Sequence, residues 1–150
     1  MLANSYPFLR CFLLAVLICQ PGLACAELVV IVNADRNVER ISREEVVNIF
    51  MGRYRKLADG NAALPLEVKG NAPERRYFYG ILLNKSLAEI NAYWARLVFS
   101  GKTSPPVSVV SGGEVLEGVA GDPAMIGYLD SSLLDGRVKV VYALPEAGLP

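Results

Sequence analysis

Strand-like and helix-like segments alternate along most of this chain, and that alternation limits the folds open to it. The run ELVVIVN at residues 27–33 is β-branched and too short for a helix, which is typical of a strand covered on both faces. Serine-x-x-glutamate sequences begin at Ser42, Ser86 and Ser111. Each predicts a helix start, because the serine side chain caps the first turn and the glutamate bonds back to it. The predicted order is therefore β-α-β-α-α-β-α-β-β.

This order favours a single α/β lobe of three layers with a mostly parallel sheet of about five strands. The 150 residues are enough for one domain with a sizeable core. Besides the first strand, the strand-like segments are ALPLEVK, VSVV, AMIGYL and RVKVVYAL. In such sheets ligands bind beyond the carboxyl ends of the strands, where helix N-termini gather.

Residues 1–26 have the three-part layout of a secretory signal peptide. Arg10 precedes the apolar run CFLLAVLIC, and the segment ends in the small residues Ala24 and Ala26 around Cys25. The apolar run is shorter than the roughly 20 residues needed to span a bilayer, so we expect export of the chain and a domain at residues 27–150. Cys25 follows GLA, which resembles a lipoprotein box, but Gly22 and Leu23 depart from its usual pattern, so lipid anchoring is not predicted.

Charge and residue inventory exclude several classes of function. Of the 15 basic residues one, Arg10, lies in the segment expected to be removed, so 14 remain against 15 acidic residues, a net charge of −1. That balance argues against binding of nucleic acid. All three cysteines fall within residues 1–26 and the chain has no histidine, which excludes histidine triads and ordinary zinc sites from the domain. We therefore predict no metal, no cofactor and no enzymatic activity.

The stretch VKGNAPERRYFYG at residues 68–80 has the layout of an anion site. Gly70 permits a tight turn, Asn71 or Ala72 is the expected N-cap, and the helix N-terminus carries about half a positive charge. At 100° per residue Arg76 points away from the buried face, whereas Arg75 lies at its flank and can fork onto an oxyanion. Gly70, Asn71, Ala72 and Arg75 are the predicted ligand-binding residues.

The same stretch also fits an ordinary helix start with solvated arginines, because caps of this kind are routine. Pro73 favours that interpretation, since proline at the first helical position supplies no N–H to an anion. The residues alone leave both alternatives open.

Several segments together resemble the small, single-lobe relatives of phosphate ABC-transporter substrate-binding proteins, in the type II periplasmic binding protein superfamily. They are LVVIVN, SREEVVNIFMGRYRKLADG, APERRYFYGILLNKS, AYWARLVFSGKTSPP and AMIGYLDSSLLDGRVKVV, in order from about Leu28 to Val141. The resemblance implies a periplasmic α/β lobe, a role with phosphate or another small oxyanion, and a membrane transporter or sensor as partner. Arg75 matches an arginine of the small relatives.

Three departures from the family pattern bear on function. Full-length members hold phosphate between two lobes, and this chain matches one. They place a glycine-serine-glycine-threonine loop where this sequence has residues 70–73, so the hydroxyls that would bond phosphate are missing. Leu57 stands where the family commonly has tryptophan. The change at Leu57 puts one packing or surface contact in question. The missing hydroxyls and the missing lobe favour an alternative function, a ligand-free envelope module for interaction or signalling that keeps the binding-protein fold.

Overall fold

The computed structural model describes residues 27–146, and the predicted signal segment 1–26 lies outside that range. The strands are β1 (Leu28–Asn33), β2 (Leu64–Val68), β3 (Val107–Val109), β4 (Met125–Asp130) and β5 (Val138–Ala143). The helices are α1 (Arg43–Phe50), α2 (Pro73–Leu83), α3 (Leu87–Phe99) and α4 (Gly112–Gly121), with a 3₁₀ turn at Ser131–Leu133. The predicted α/β class and the predicted order of elements are confirmed.

The five strands form one sheet in the order β3-β2-β4-β1-β5. β2 pairs in parallel with β3 and β4, whereas β1 is antiparallel to both β4 and β5. Four strands therefore point one way and β1 the other, so the expected mostly parallel sheet holds for strand direction, although half of the pairings are antiparallel. The carboxyl ends of β2, β3, β4 and β5 share one edge of the sheet, and β2 leads there into residues 69–72.

Helices cover both faces of the sheet, which gives the predicted three layers. Residues of β1 alternate between the faces, and all six are buried. Val30 and Val32 pack in one core with α1, α2 and α3, while Val29 and Ile31 pack in the other with α4. In the larger core the rings of Phe78 and Tyr128 stack with centroids 3.9 Å apart.

Serine side chains cap three of the four helices. Ser42 and Ser86 form complete capping boxes with the glutamates three residues on. Ser111 accepts from the N–H of Glu114, but the Glu114 carboxylate accepts from the N–H of Val110 at 2.9 Å. The third helix start is thus where it was expected, with only half of the predicted box.

No helix within residues 27–146 has the length and apolar character needed to cross a bilayer.

Gly127 on β4 lets α4 approach the sheet closely. A Cβ added at this position would lie 2.4 Å from Cγ1 of Val115. We expect Gly127→Ala to lower the free energy of unfolding by about 1–3 kcal/mol, as overpacking of a core does, when measured by urea denaturation. Gly136→Ala is the control, since a Cβ there meets nothing within 4 Å and should leave stability close to wild type. Equal stability of the Gly127 variant and the wild type would contradict the packing described here.

Candidate functional site

The predicted anion site lies in the connection between β2 and α2. Gly70 has a φ of +74°, the left-handed conformation that favours glycine, and it turns the chain at the end of the strand. Asn71 is exposed, and its backbone carbonyl accepts a hydrogen bond from Nη1 of Arg76. Arg76 is exposed, as helical geometry predicted. The loop and the helix start are therefore at the sheet edge where a ligand was expected.

The start of α2 differs from the starts of the other helices in having no side-chain cap. Ala72 is the N-cap residue, with φ −54° and ψ 139°, and no side chain accepts from the first turn. Pro73 occupies the first helical position and supplies no N–H. The N–H groups of Glu74 and Arg75 therefore begin the helix without a side-chain acceptor, although the Glu74 carboxylate already adds a negative charge to this turn.

Arg75 lies on the buried face of α2 rather than at its flank. Only 7% of the residue is exposed. Its Nε donates to Oε1 of Glu67 at 3.0 Å, Nη1 to the Gly70 carbonyl at 3.2 Å, and Nη2 to Oδ1 of Asn91 at 3.2 Å. The guanidinium also lies 5.6 Å from the centroid of the Tyr79 ring. Arg75 thus contacts the predicted loop from behind, through the Gly70 backbone.

Glu67 on β2 is the counter-charge of Arg75. It is buried, and its Oε2 accepts a hydrogen bond of 2.6 Å from the Tyr79 hydroxyl. Burial raises the pKa of Glu67, while the hydroxyl of Tyr79 and the charge of Arg75 oppose that rise. Burial and the neighbouring Glu67 also raise the pKa of Tyr79, which stays a neutral donor. The positive charge of Arg75 is therefore largely compensated inside the protein.

The partners of Arg75 were not predicted from the sequence. Glu67 and Asn91 lie 8 and 16 residues from Arg75 along the chain, beyond the reach of local patterns. The one feature of the sequence that could have indicated a buried ion pair was Glu67, an acidic residue in the strand LPLEV. The last four residues of this strand are buried. A carboxylate buried in a strand requires a partner.

Between residues 27 and 146, no three histidine, cysteine, aspartate or glutamate side chains are grouped so that they could hold a metal ion.

Comparison with solved structures defines the class of fold, which this chain shares with substrate-binding proteins of phosphate ABC transporters. An ABC-type phosphate transport receptor from Vibrio cholerae superimposes with a TM-score of 0.60 at 15% sequence identity, over 77% of this chain and 46% of the receptor. The PstS protein of Borrelia burgdorferi gives a TM-score of 0.59 at 16% identity, over 77% of this chain and 46% of PstS. The matched region thus spans less than half the length of these proteins. No protein-family model matches the sequence, and no curated protein matches it.

The buried pair gives a test of stability. Arg75→Met leaves Glu67 buried without its cation, and we expect it to lower the free energy of unfolding by about 3–5 kcal/mol. The double variant Arg75→Met/Glu67→Gln removes both charges and should recover most of that loss. Urea denaturation at neutral pH measures both changes. Additive losses in the double variant would show that the two side chains do not form the pair described above.

The same pair predicts a pH dependence. Because the folded protein raises the pKa of Glu67 above its ordinary value of 4.5, protonation of Glu67 stabilises the fold below about pH 4.5, and this contribution is lost as pH rises through the raised pKa. The loss of unfolding free energy caused by Arg75→Met should therefore be smaller at pH 4 than at pH 7. Glu67→Gln has no such group, so adding it to Arg75→Met should abolish the difference. A stability difference between Arg75→Met and wild type that is larger at pH 4 than at pH 7 would contradict this prediction.

Proposed function

We propose that this protein is an exported, non-enzymatic solute-binding lobe that takes a small oxyanion, such as phosphate, at the start of α2. The observation that carries the proposal is the uncapped helix start at Ala72, which follows directly on the carboxyl end of β2. Unfilled N–H groups and the helix dipole together favour an anion at such a position. The fold shared with phosphate-binding proteins supports the same ligand class.

Binding at this position is expected to be weak. Arg75 is paired with Glu67, so its charge is not fully available to a second anion. Pro73 removes one donor, and an ion at an open helix start stays partly hydrated. Charge–charge interactions are then screened towards the ~1 kcal/mol expected in water. We place the dissociation constant for phosphate in the millimolar range.

The proposal includes a periplasmic location and a membrane protein as partner. The signal-peptide layout of residues 1–26 supports a periplasmic location. The fold of an ABC-transporter binding protein supports a membrane transporter or sensor as the partner that receives the ligand or the signal.

A carboxylate placed at the N-cap tests the oxyanion site. The backbone of Ala72 is non-helical, as the N-cap position requires, so a capping side chain can be placed there. We expect Ala72→Asp to bond the free N–H groups, to raise the free energy of unfolding by about 0.5–2 kcal/mol, and to abolish phosphate binding. Urea denaturation measures the first effect, and isothermal titration calorimetry with phosphate measures the second.

Ala88→Asp is the matched control. It places the same charge in the first turn of α3, where Ala88 is exposed and Ser86 already caps the helix. Phosphate should bind this variant as it binds the wild type. If Ala72→Asp were more stable and still bound phosphate with unchanged heats, the oxyanion would bind at another position.

A second function is favoured by a different observation. Phe99, at the end of α3, is 95% exposed, and its neighbour Val98 is 54% exposed. Exposed apolar side chains of this size mark interaction surfaces when they are adjacent. The protein would then be a ligand-free module that presents this surface to a partner in the envelope.

Affinity capture from an envelope extract separates this function from oxyanion binding. The interaction module predicts that wild type and Tyr54→Ser, which alters another exposed aromatic residue, recover the same membrane protein. Phe99→Ser should lose it, and phosphate should have no effect on the yield. Equal recovery by Phe99→Ser would contradict a role of this surface.

A further inference from the structure

A cleft of about 540 Å³ opens beside Arg75, between α3 and β3. Trp94, Val98, Phe99 and Pro105 form its apolar walls. Its volume is within the range of sites for small organic molecules. The cleft is distinct from the start of α2, although Arg75 contributes to both.

Two residues that line this cleft, Arg75 and Asn91, have hydrogen-bond donors that other residues of the described range do not use. The Arg75 guanidinium has five N–H groups, and residues 27–146 accept from only three of them. Asn91 uses its amide oxygen towards Arg75, so its NH₂ group is left as a donor. A ligand with acceptor atoms would accept hydrogen bonds from these unused N–H groups.

Glu67 also lines the cleft, but its carboxylate oxygens already accept hydrogen bonds from other donors. One of its oxygens accepts from Arg75 and the other from Tyr79. The guanidinium is planar and presents donors in a fork that matches a carboxylate group. An acceptor with two oxygens is therefore the best complement to the remaining donors.

The apolar walls of the cleft indicate the chemistry of the remaining part of the ligand. Val98 and Phe99 are largely exposed, and a hydrated inorganic ion would leave them so. A ligand with an apolar body would remove this surface from water, which is favourable in proportion to the area covered. We propose that the cleft between α3 and β3 binds a small organic carboxylate with an apolar body. Because Glu67 already compensates the charge of Arg75, the carboxylate is anchored by hydrogen bonds from the unused N–H groups of Arg75 and Asn91 rather than by a net charge. This ligand differs in chemistry and position from the inorganic oxyanion proposed for the start of α2.

Phenylacetate is a suitable probe, and Trp94 is a built-in reporter because it is the single tryptophan of the chain. We expect phenylacetate to change the tryptophan fluorescence saturably. Acetate lacks the apolar body, and phenylacetamide has an NH₂ donor in place of one acceptor oxygen, so each should bind at least about tenfold more weakly, the change expected for the loss of one anchoring interaction. Equal binding of phenylacetate and phenylacetamide would overturn the proposal and indicate an apolar docking surface instead.

Two alanines of α3 give a matched pair of variants. Ala95 is exposed and lines the cleft, whereas Ala92 is exposed on the same helix and does not. We expect Ala95→Phe to fill the cleft and weaken phenylacetate at least about tenfold, while Ala92→Phe binds it as the wild type does. Equal effects of the two substitutions would place the probe elsewhere and overturn the assignment.

The two proposed sites can fail independently. Ala72→Asp should abolish phosphate binding and preserve phenylacetate binding, and Ala95→Phe should do the reverse. Loss of phosphate binding alone leaves the cleft intact as a carboxylate site. Competitive displacement of phenylacetate by phosphate would show one shared site and would overturn the separate cleft.

Discussion

The buried ion pair between Arg75 and Glu67 holds three elements together. Glu67 belongs to β2, Arg75 to α2, and Asn91, which accepts from the same guanidinium, to α3. Removal of either charge would leave the other in a medium of low dielectric constant, which is costly, so the three elements are constrained to one arrangement. That arrangement sets both the position of the α2 start behind Gly70 and the width of the cleft beside α3. Both candidate sites therefore depend on the same guanidinium.

Much of the fold can be predicted because its signals are local. The capping boxes at Ser42 and Ser86 act within one turn of helix, and the β-branched run of β1 needs only to be covered on both faces. The direction of β1 is not encoded locally, because alternation of side chains has the same period whichever way a strand runs. Its antiparallel orientation depends on pairing with β4 and β5, which lie far along the chain.

The position of the candidate site can be predicted from the sequence, but the pairing of the Arg75 charge with Glu67 cannot. A strand that ends at Gly70 and a helix that begins at Pro73 locate the loop at the sheet edge, and both features are visible in the sequence. The inward orientation of Arg75 depends on Glu67 and Asn91, whose proximity is created only by tertiary packing. Phosphate ABC-transporter binding proteins at 15–16% identity share this fold only at the level of the backbone, so the ligand has to be found by experiment rather than by analogy.

The central position of β1 has a consequence for how the chain acquires its structure. β1 precedes the other strands of the described range, yet it lies between β4 and β5, and Leu28 pairs with Asp130. A sheet closed by contacts this distant along the chain forms slowly, because the entropy of a long loop is lost before the contacts form. While the chain is being synthesised from its N-terminus, β1 has no neighbouring strand until β4 and β5 emerge. The first strand of the described range thus waits for the last two before the centre of the sheet can form, so folding of this topology cannot be completed from the N-terminus onwards.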